Sequence, residues 1–310
     1  MDKKPRIVFM GTPAFAVASL RALLDAKMNV VGVVTAPDKP GGRGMQLQQS
    51  AVKLFALDHN LPILQPEKLK SPEFFEALTA WNPDLQVVVA FRMLPEKIWS
   101  LPPMGTLNVH GSLLPQYRGA APINWAIMNG EKETGVTTFQ LQHTIDTGDI
   151  LLQDKITITE NMTAGELHDT MMIVGAQILV KTLAGLFNNE IKSVPQAAVI
   201  NEHSVHHAPK IFTKDCEINW ALPVNKVHNH IRGLAPFPGA ITKVEGKIVK
   251  LYSTIVEKIK PAEAPGSFIT DGKTFAKFAC EDGYLILNDI QWEGKKKMPI
   301  ADFLRGYRHN

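Results

Sequence analysis

The sequence predicts an α/β chain: an N-terminal Rossmann-like parallel-sheet domain followed by a smaller C-terminal β-barrel. Residues 7–10 and 29–35 are apolar runs with a helical pattern between them. Strand, helix and strand within about thirty residues is the spacing of a right-handed βαβ unit. A further apolar run at 85–90 and an alternating stretch at 106–110 are separated by helical stretches and extend that sheet. Residues 240–291 instead break into short strands separated by glycine turns, the pattern of a small barrel.

Composition sets the class. A chain of 310 residues, 45% hydrophobic and 20% charged, is long enough for two cores. No apolar run reads as the roughly 20 residues of a membrane helix, and Met1-Asp2-Lys3-Lys4-Pro5-Arg6 runs straight into a strand with no signal-peptide core. Cys216 and Cys280 lie far apart without metal-ligand spacing, so neither a zinc site nor a disulfide framework is indicated. A cytoplasmic enzyme is expected. The net charge of +3 hides an asymmetry: residues 101–209 carry 5 Lys/Arg against 10 Asp/Glu, whereas residues 210–310 carry 16 against 11. Basic ends around an acidic middle suit a polyanionic partner, although solvated surfaces also give such imbalances.

In chain order, Ile7-Val8-Phe9-Met10 is apolar throughout, as a strand buried on both faces is. Gly11-Thr12-Pro13 ends it, and Phe15, Val17, Leu20, Leu23 and Leu24 give the following helix its apolar face. Only Gly11 of a dinucleotide fingerprint is present, so this turn reads as a substrate-side loop. After the second strand, residues 36–49 crowd prolines and glycines around Lys39 and Arg43 without a core pattern. They read as a mobile basic loop that closes on an anionic ligand. A helix follows at 50–59, a short strand at 62–64, and a helix capped by Ser71 with Pro72 and Glu73 in its first turn. The strand at 85–90 ends in Phe91-Arg92-Met93-Leu94-Pro95, with a helix toward Trp99. Loops after parallel strands share one sheet edge, where ligands bind.

The stretch 106–123 organises the rest. Thr106-Leu107-Asn108-Val109-His110 alternates as a short strand, which puts Asn108 and His110 on one face about 7 Å apart. One is an amide donor; the other can donate, accept or carry charge. Gly111 and Ser112 end the strand, and Leu113-Leu114-Pro115 begins a rigid loop. A helix at 123–129 follows, then antiparallel strands at 135–141 and 150–156. Between these lies Asp146-Thr147-Gly148-Asp149, a turn that needs its glycine and carries two carboxylates. No further ligand cluster accompanies them, so no metal is expected. A helix at 163–187 closes the domain. Residues 188–207 read as a polar connector without periodicity, and a helix at 223–231 enters the barrel.

Asn108, His110, Ser112-Leu113-Leu114-Pro115 and the Asp146 turn together resemble the signature of the 10-formyltetrahydrofolate-dependent formyltransferases. Gly11-Thr12-Pro13 with Phe15, Pro37-Asp38-Lys39-Pro40, Gly42-Arg43-Gly44, Tyr117–Ile123, Pro236-Phe237-Pro238-Gly239-Ala240 and Gly294-Lys295-Lys296-Lys297-Met298 resemble the branch acting on methionyl-tRNA. Phe91-Arg92 departs from that branch and is similar to the glycinamide ribonucleotide relatives. Met45-Gln46-Leu47-Gln48 stands where lysines often follow, which puts the weight of the loop on Lys39 and Arg43.

The resemblance implies a folate-binding catalytic domain over residues 1–189, a linker over 190–207 and an OB-like, tRNA-contacting domain over 208–310. It implies formyl transfer from 10-formyltetrahydrofolate, a co-substrate, to the α-amino group of initiator methionyl-tRNA, with no metal, by a monomer without a membrane partner. Asn108 and His110 would stabilise charge on the formyl oxygen. Asp146 would orient His110, stabilise its charged form or accept the amine proton through a water. Phe91, Arg92, Met93, Leu94, Ser112, Leu113, Leu114, Pro115 and Asp146 are the implied folate contacts. Thr12, Pro13, Phe15, Lys39, Arg43, Lys295, Lys296 and Lys297 are the implied tRNA or methionine contacts. A folate hydrolase, a sugar-nucleotide amine formyltransferase and a non-enzymatic RNA-binding module are the alternatives. The first would be expected to lack the glycine-arginine loop and the second the C-terminal motifs, and the third leaves Asn108, His110 and Asp146 without a task.

Overall fold

The computed structural model describes residues 4–41, 46–199 and 205–307. Its contacts group into two units, the first of Met1–Arg118, Gly135–Ile156 and Asp169–His207, the second of Gly119–Thr134, Thr157–His168 and Ala208–Asn310. The chain begins with β1 (Ile7–Gly11), α1 (Ala14–Asp25), β2 (Val30–Val34), β3 (Lys39–Gly41), β4 (Gln46–Gln48), α2 (Ala51–Asp58) and β5 (Ile63–Leu64). It continues through α3 (Pro72–Ala80), β6 (Leu85–Val89), α4 (Glu96–Trp99), β7 (Thr106–His110), β8 (Arg118–Gly119), α5 (Pro122–Met128), β9 (Glu133–Gln140), β10 (Ile150–Thr157) and α6 (Ala164–Phe187).

The main sheet of the first unit has the order β10-β9-β7-β6-β1-β2-β5. The pairs from β5 to β7 are parallel, and β9 joins β7 antiparallel. All residues of β1 and β6 are buried, as strands covered on both faces must be. Ile7, Phe9, Val87, Val89, Leu107 and Val109 pack with α1 and α6 residues in one cluster, while Val8, Met10, Val88, Phe74 and Leu78 pack in another. The chain leaves β1 toward β2 and β5, then returns to the other side of β1 as β6. That reversal between β1 and β6 is the switch point where open parallel sheets hold ligands.

Several elements follow their sequence signals closely. The Ser71 hydroxyl caps α3 by accepting from the Phe74 N–H, and Ser50 caps α2 by accepting from Lys53. Gly11 ends β1 because a Cβ there would lie 2.6 Å from the Ala16 Cβ and 3.0 Å from the Val89 carbonyl oxygen. The segment 36–49 departs from the loop expectation, since β3 and β4 pair antiparallel. Asp38 fixes the base of this hairpin: its carboxylate accepts from Lys53 at 2.5 Å and from Gln65 at 2.8 Å. These donations, Lys53 first, hold the Asp38 carboxyl below its usual range. Arg43 lies outside the described residues. By length and composition, α6 would suit a membrane span, a match the sequence pattern missed; Met171, Leu179 and Leu183 are buried within the protein.

The connector after α6 is also more structured than expected. Val194 exchanges both backbone hydrogen bonds with Ile150 at 2.8 Å, and a 3-10 turn follows at Gln196–Ala198. After it come β11 (His207–Ala208), α7 (Val224–Leu234), β12 (Ala240–Val244), β13 (Lys247–Glu257), β14 (Phe268–Thr270), β15 (Ala276–Ala279), β16 (Tyr284–Trp292), β17 (Met298–Pro299) and α8 (Ile300–Leu304). The second unit holds an antiparallel sheet of order β12-β13-β16-β15-β14, with β17 on β16. β13 runs past the expected end at residue 252 because register shifts at Leu251–Thr254 let pairing with β16 resume. Val227, Ile231 and Leu234 of α7 enter the same core as Val249, Leu251, Phe278, Leu285 and Leu287. Helix α5 packs on α7 at Gly233, where a Cβ would come within 2.5 Å of Met128. Arg232, only 4% exposed, donates to the Met162 carbonyl at 2.8 Å and to Asn229 at 2.9 Å, which satisfies a buried charge.

Candidate active site

β7 runs from Thr106 to His110, as its alternation predicts. Leu107 and Val109 point into the core cluster, so period-two geometry turns Asn108 and His110 to the opposite face. Asn108 sits opposite Phe139, and His110 opposite Thr137, on β9. The Asn108 side chain is half-buried and has no hydrogen-bond partner among the described residues. A half-buried primary amide without a protein partner is a donor open to a bound group.

His110 is 7% exposed and its ring is held at Nε2. Nε2–H donates to the Tyr117 carbonyl at 2.9 Å, and Nδ1 faces Asp146 Oδ2 at 3.9 Å. With Nε2 fixed on a carbonyl, Nδ1 is the nitrogen turned toward Asp146. At 3.9 Å, the contact with Asp146 exceeds hydrogen-bond length and leaves room for the two to share a third partner. Asp146 adopts φ 54, so the left-handed residue of this turn is the aspartate, not the glycine. Gly148 is needed for a different reason: its Cβ would fall 1.7 Å from the Gln140 carbonyl oxygen.

The loop after β7 is held by its side chains as much as by its prolines. Ser112 is fully buried and donates to the Gln116 carbonyl at 2.6 Å. Thr137 Oγ1 donates to the Ser112 carbonyl at 2.6 Å, accepting in turn from the Leu114 N–H and Gln153. Leu114 packs against Phe139 and Ile150 in the core, Pro115 is buried and Leu113 is half-buried. Of this run, the side chains of Ser112 and Leu114 build the loop.

The loop after β6 behaves similarly. Arg92 donates to the Pro66 carbonyl at 2.7 Å and the Glu67 carbonyl at 3.0 Å, with Phe91 stacked at 5.3 Å. Burial pulls this guanidinium below its ordinary pKa. The guanidinium ties this loop to the segment after β5. Leu94 is in the core, whereas Met93 is 77% exposed. Thr12 is half-buried and Pro13 exposed at the end of β1, and Phe15 packs partly into the core. Lys39 is exposed on β3.

Sequence reasoning missed Gln196, and it reached Arg118 only as part of the 117–123 motif. Gln196 is 3% exposed, and its Nε2 donates to the Asp146 carbonyl at 2.9 Å and the Gly148 carbonyl at 2.8 Å. No periodicity marks that position, so no local signal could have found it. Among the described residues, no group of His, Cys, Asp or Glu is placed to hold a metal.

In the second unit, Lys295, Lys296 and Lys297 lie exposed in the turn between β16 and β17. Lys297 pairs with Asp289 at 3.2 Å and lies over Tyr252. Lys243 and Lys247 flank the β12–β13 turn. The register Val249–Trp292 brings this turn to the same end of the sheet as the lysine run.

Two family profiles cover most of the chain: formyl transferase over residues 5–183, and formyl transferase, C-terminal domain, over residues 210–308. A methionyl-tRNA formyltransferase of Bacteroides fragilis is 48% identical over 309 residues, spanning 97% of this chain and 95% of its own. That of Azobacteroides pseudotrichonymphae is 49% identical over 311 residues, spanning 98% and 96%. In fold, the chain is similar to a crystallised sugar 3N-formyl transferase, with a TM-score of 0.67 at 22% identity over 95% of this chain and 100% of that one.

Proposed function

The chain belongs to the formyltransferase family, and on that premise we propose how its residues divide the work. It transfers the formyl group of 10-formyltetrahydrofolate to the α-amino group of methionyl-tRNA, giving N-formylmethionyl-tRNA for translation initiation. The observation that carries the assignment of residues is the juxtaposition of Asn108 and His110 on one strand face with Asp146 across from His110 Nδ1. The methionine amine attacks the formyl carbon on N10 of the folate. The tetrahedral adduct then collapses with cleavage of the C–N10 bond, and N10 takes up a proton to leave as tetrahydrofolate. No nucleophilic side chain is required.

Asn108 donates its amide N–H to the formyl oxygen, where negative charge grows, and His110 in its imidazolium form donates Nδ1–H beside it. The Tyr117 carbonyl holds the imidazole in register while this happens. Asp146 takes the proton that the attacking amine must lose, through a water in the gap to His110. The backbone around Ser112 and Leu114, with Leu113 and Met93, lines the folate side. The catalytic residues fall within 1–189, 190–207 connects, and 208–310 is an OB-like domain whose lysines meet tRNA. The enzyme works in the cytoplasm as a monomer. Incubation with 10-formyltetrahydrofolate and methionyl-tRNA should yield formylmethionyl-tRNA. Formylation of a sugar-nucleotide amine in preference to the aminoacyl-tRNA would overturn this reading.

Two expected results separate tRNA contact from chemistry. In the sequence, Arg43 falls among the glycines between β3 and β4, and the tRNA contact is assigned to it from that position. Arg43→Ala should raise the KM for methionyl-tRNA and leave folate affinity unchanged; equal losses for both would assign the hairpin to the folate pocket. Neutralising Lys295, Lys296 and Lys297 together to glutamine should raise the tRNA KM and preserve turnover at saturation. The log–log salt dependence of tRNA Kd should flatten, by up to about 0.9 per lost phosphate contact on the duplex-DNA scale. Parallel lines of equal affinity would leave these lysines with a solubility role only.

A further inference from the structure

Asp146 and His110 face each other across 3.9 Å, and neither side chain alone explains how that spacing is kept. The backbone of Asp146 is in the left-handed region, at φ 54, where a non-glycine residue needs support. The support comes from Gln196, about fifty positions along the chain. Both hydrogens of its amide nitrogen are engaged, one by the Asp146 carbonyl and one by the Gly148 carbonyl, at 2.9 and 2.8 Å. Its Oε1 accepts from Arg118 Nε at 3.0 Å and from Nη2 at 2.5 Å. This fixes the orientation of the amide, since a flip would set NH2 against the guanidinium and an oxygen against two carbonyls.

Arg118 is itself next to Tyr117, whose carbonyl receives His110 Nε2–H. The Tyr117 N–H in turn donates to the His206 carbonyl at 2.7 Å. The contacts therefore close a ring: His110 to Tyr117, along the peptide to Arg118, across to Gln196, back to the Asp146 turn, and over the gap to His110. We propose that Gln196, oriented by Arg118, is a positioning residue that sets the His110–Asp146 geometry for formyl transfer. The assignment rests on the roles given to His110 and Asp146 above. Gln196 touches no reacting atom. Its length is what the span requires, and the Val194–Ile150 bridge delivers it to the turn.

The test compares Gln196→Ala and Gln196→Glu in the wild-type and Asp146→Asn backgrounds. Glutamate keeps the shape and the acceptor for Arg118 but has no N–H to give the turn, so it carries the test should the alanine variant not fold. Each variant is expected to lower kcat about tenfold to a hundredfold, the scale of a misplacement near 1 Å, with the KM of both substrates little changed. In the Asp146→Asn background the same changes should cost almost nothing more, because they act through that carboxylate. A wild-type kcat in folded Gln196→Glu, or the same loss in both backgrounds, overturns the positioning role and leaves Asp146 in place. A wild-type kcat in Asp146→Asn alone would overturn the role of Asp146 and the role of Gln196 with it.

Discussion

Replacing Asn108, His110 or Asp146 singly, the first two by alanine and the third by asparagine, is expected to lower kcat by roughly two to three orders of magnitude. That is the scale for losing one donor to a developing oxyanion or one proton acceptor. The losses should not add: Asn108→Ala with His110→Ala should fall well short of the product of the two, because both serve one charge. Affinity for methionyl-tRNA should barely move, since no step of tRNA binding is assigned to this strand. The measurement is single-turnover formation of formylmethionyl-tRNA at saturating substrates, beside an equilibrium Kd for the tRNA. A single variant that turns over at the wild-type rate would strike its residue from the mechanism. A matched loss of Kd in all three would mean instead that this face forms part of the tRNA site.

Much of the frame was legible because it rests on local signals. β7 has the bounds its alternation predicts, and α3 begins where Ser71, Pro72 and Glu73 say it should. Among the buried parallel strands, β1 begins as a continuous apolar run, and β6 is broken only by Gln86. The hairpin of β3 and β4 was hidden because proline and glycine dominate its composition, while its anchor is the Asp38–Lys53–Gln65 cluster contributed by three separate segments. The carbonyl partners of Arg92 lie about twenty-five positions away, after β5, and no spacing in the sequence announces them. Gln196 was illegible too: nothing around it is periodic, and its partners lie at positions 118, 146 and 148. Long-range polar contacts of this kind leave no spacing to read.

Gly148→Ala should lose both activity and stability, although no side chain of the site is touched. The Asp146-Thr147-Gly148-Asp149 turn lies against β9, where the Gln140 N–H donates to the Asp149 carbonyl at 3.0 Å. A Cβ on residue 148 would sit 1.7 Å from the Gln140 carbonyl oxygen and 2.9 Å from its carbon. Both are backbone atoms of a sheet strand, so the turn must move rather than its neighbour. Moving it strains the Gln196 contact to the Gly148 carbonyl and carries Asp146, two residues away, out of place. Overpacking of this kind costs about 1–3 kcal/mol. A displacement near 1 Å at the carboxylate lowers turnover by about a hundredfold. Thermal unfolding with kcat for Gly148→Ala, beside Asp146→Asn, measures both effects. If the turn serves to aim Asp146, then Gly148→Ala in an Asp146→Asn background lowers Tm further and leaves kcat where Asp146→Asn alone put it. A variant destabilised by the expected amount but fully active would show that the turn yields without displacing the carboxylate, and that Asp146 needs no fixed backbone to act.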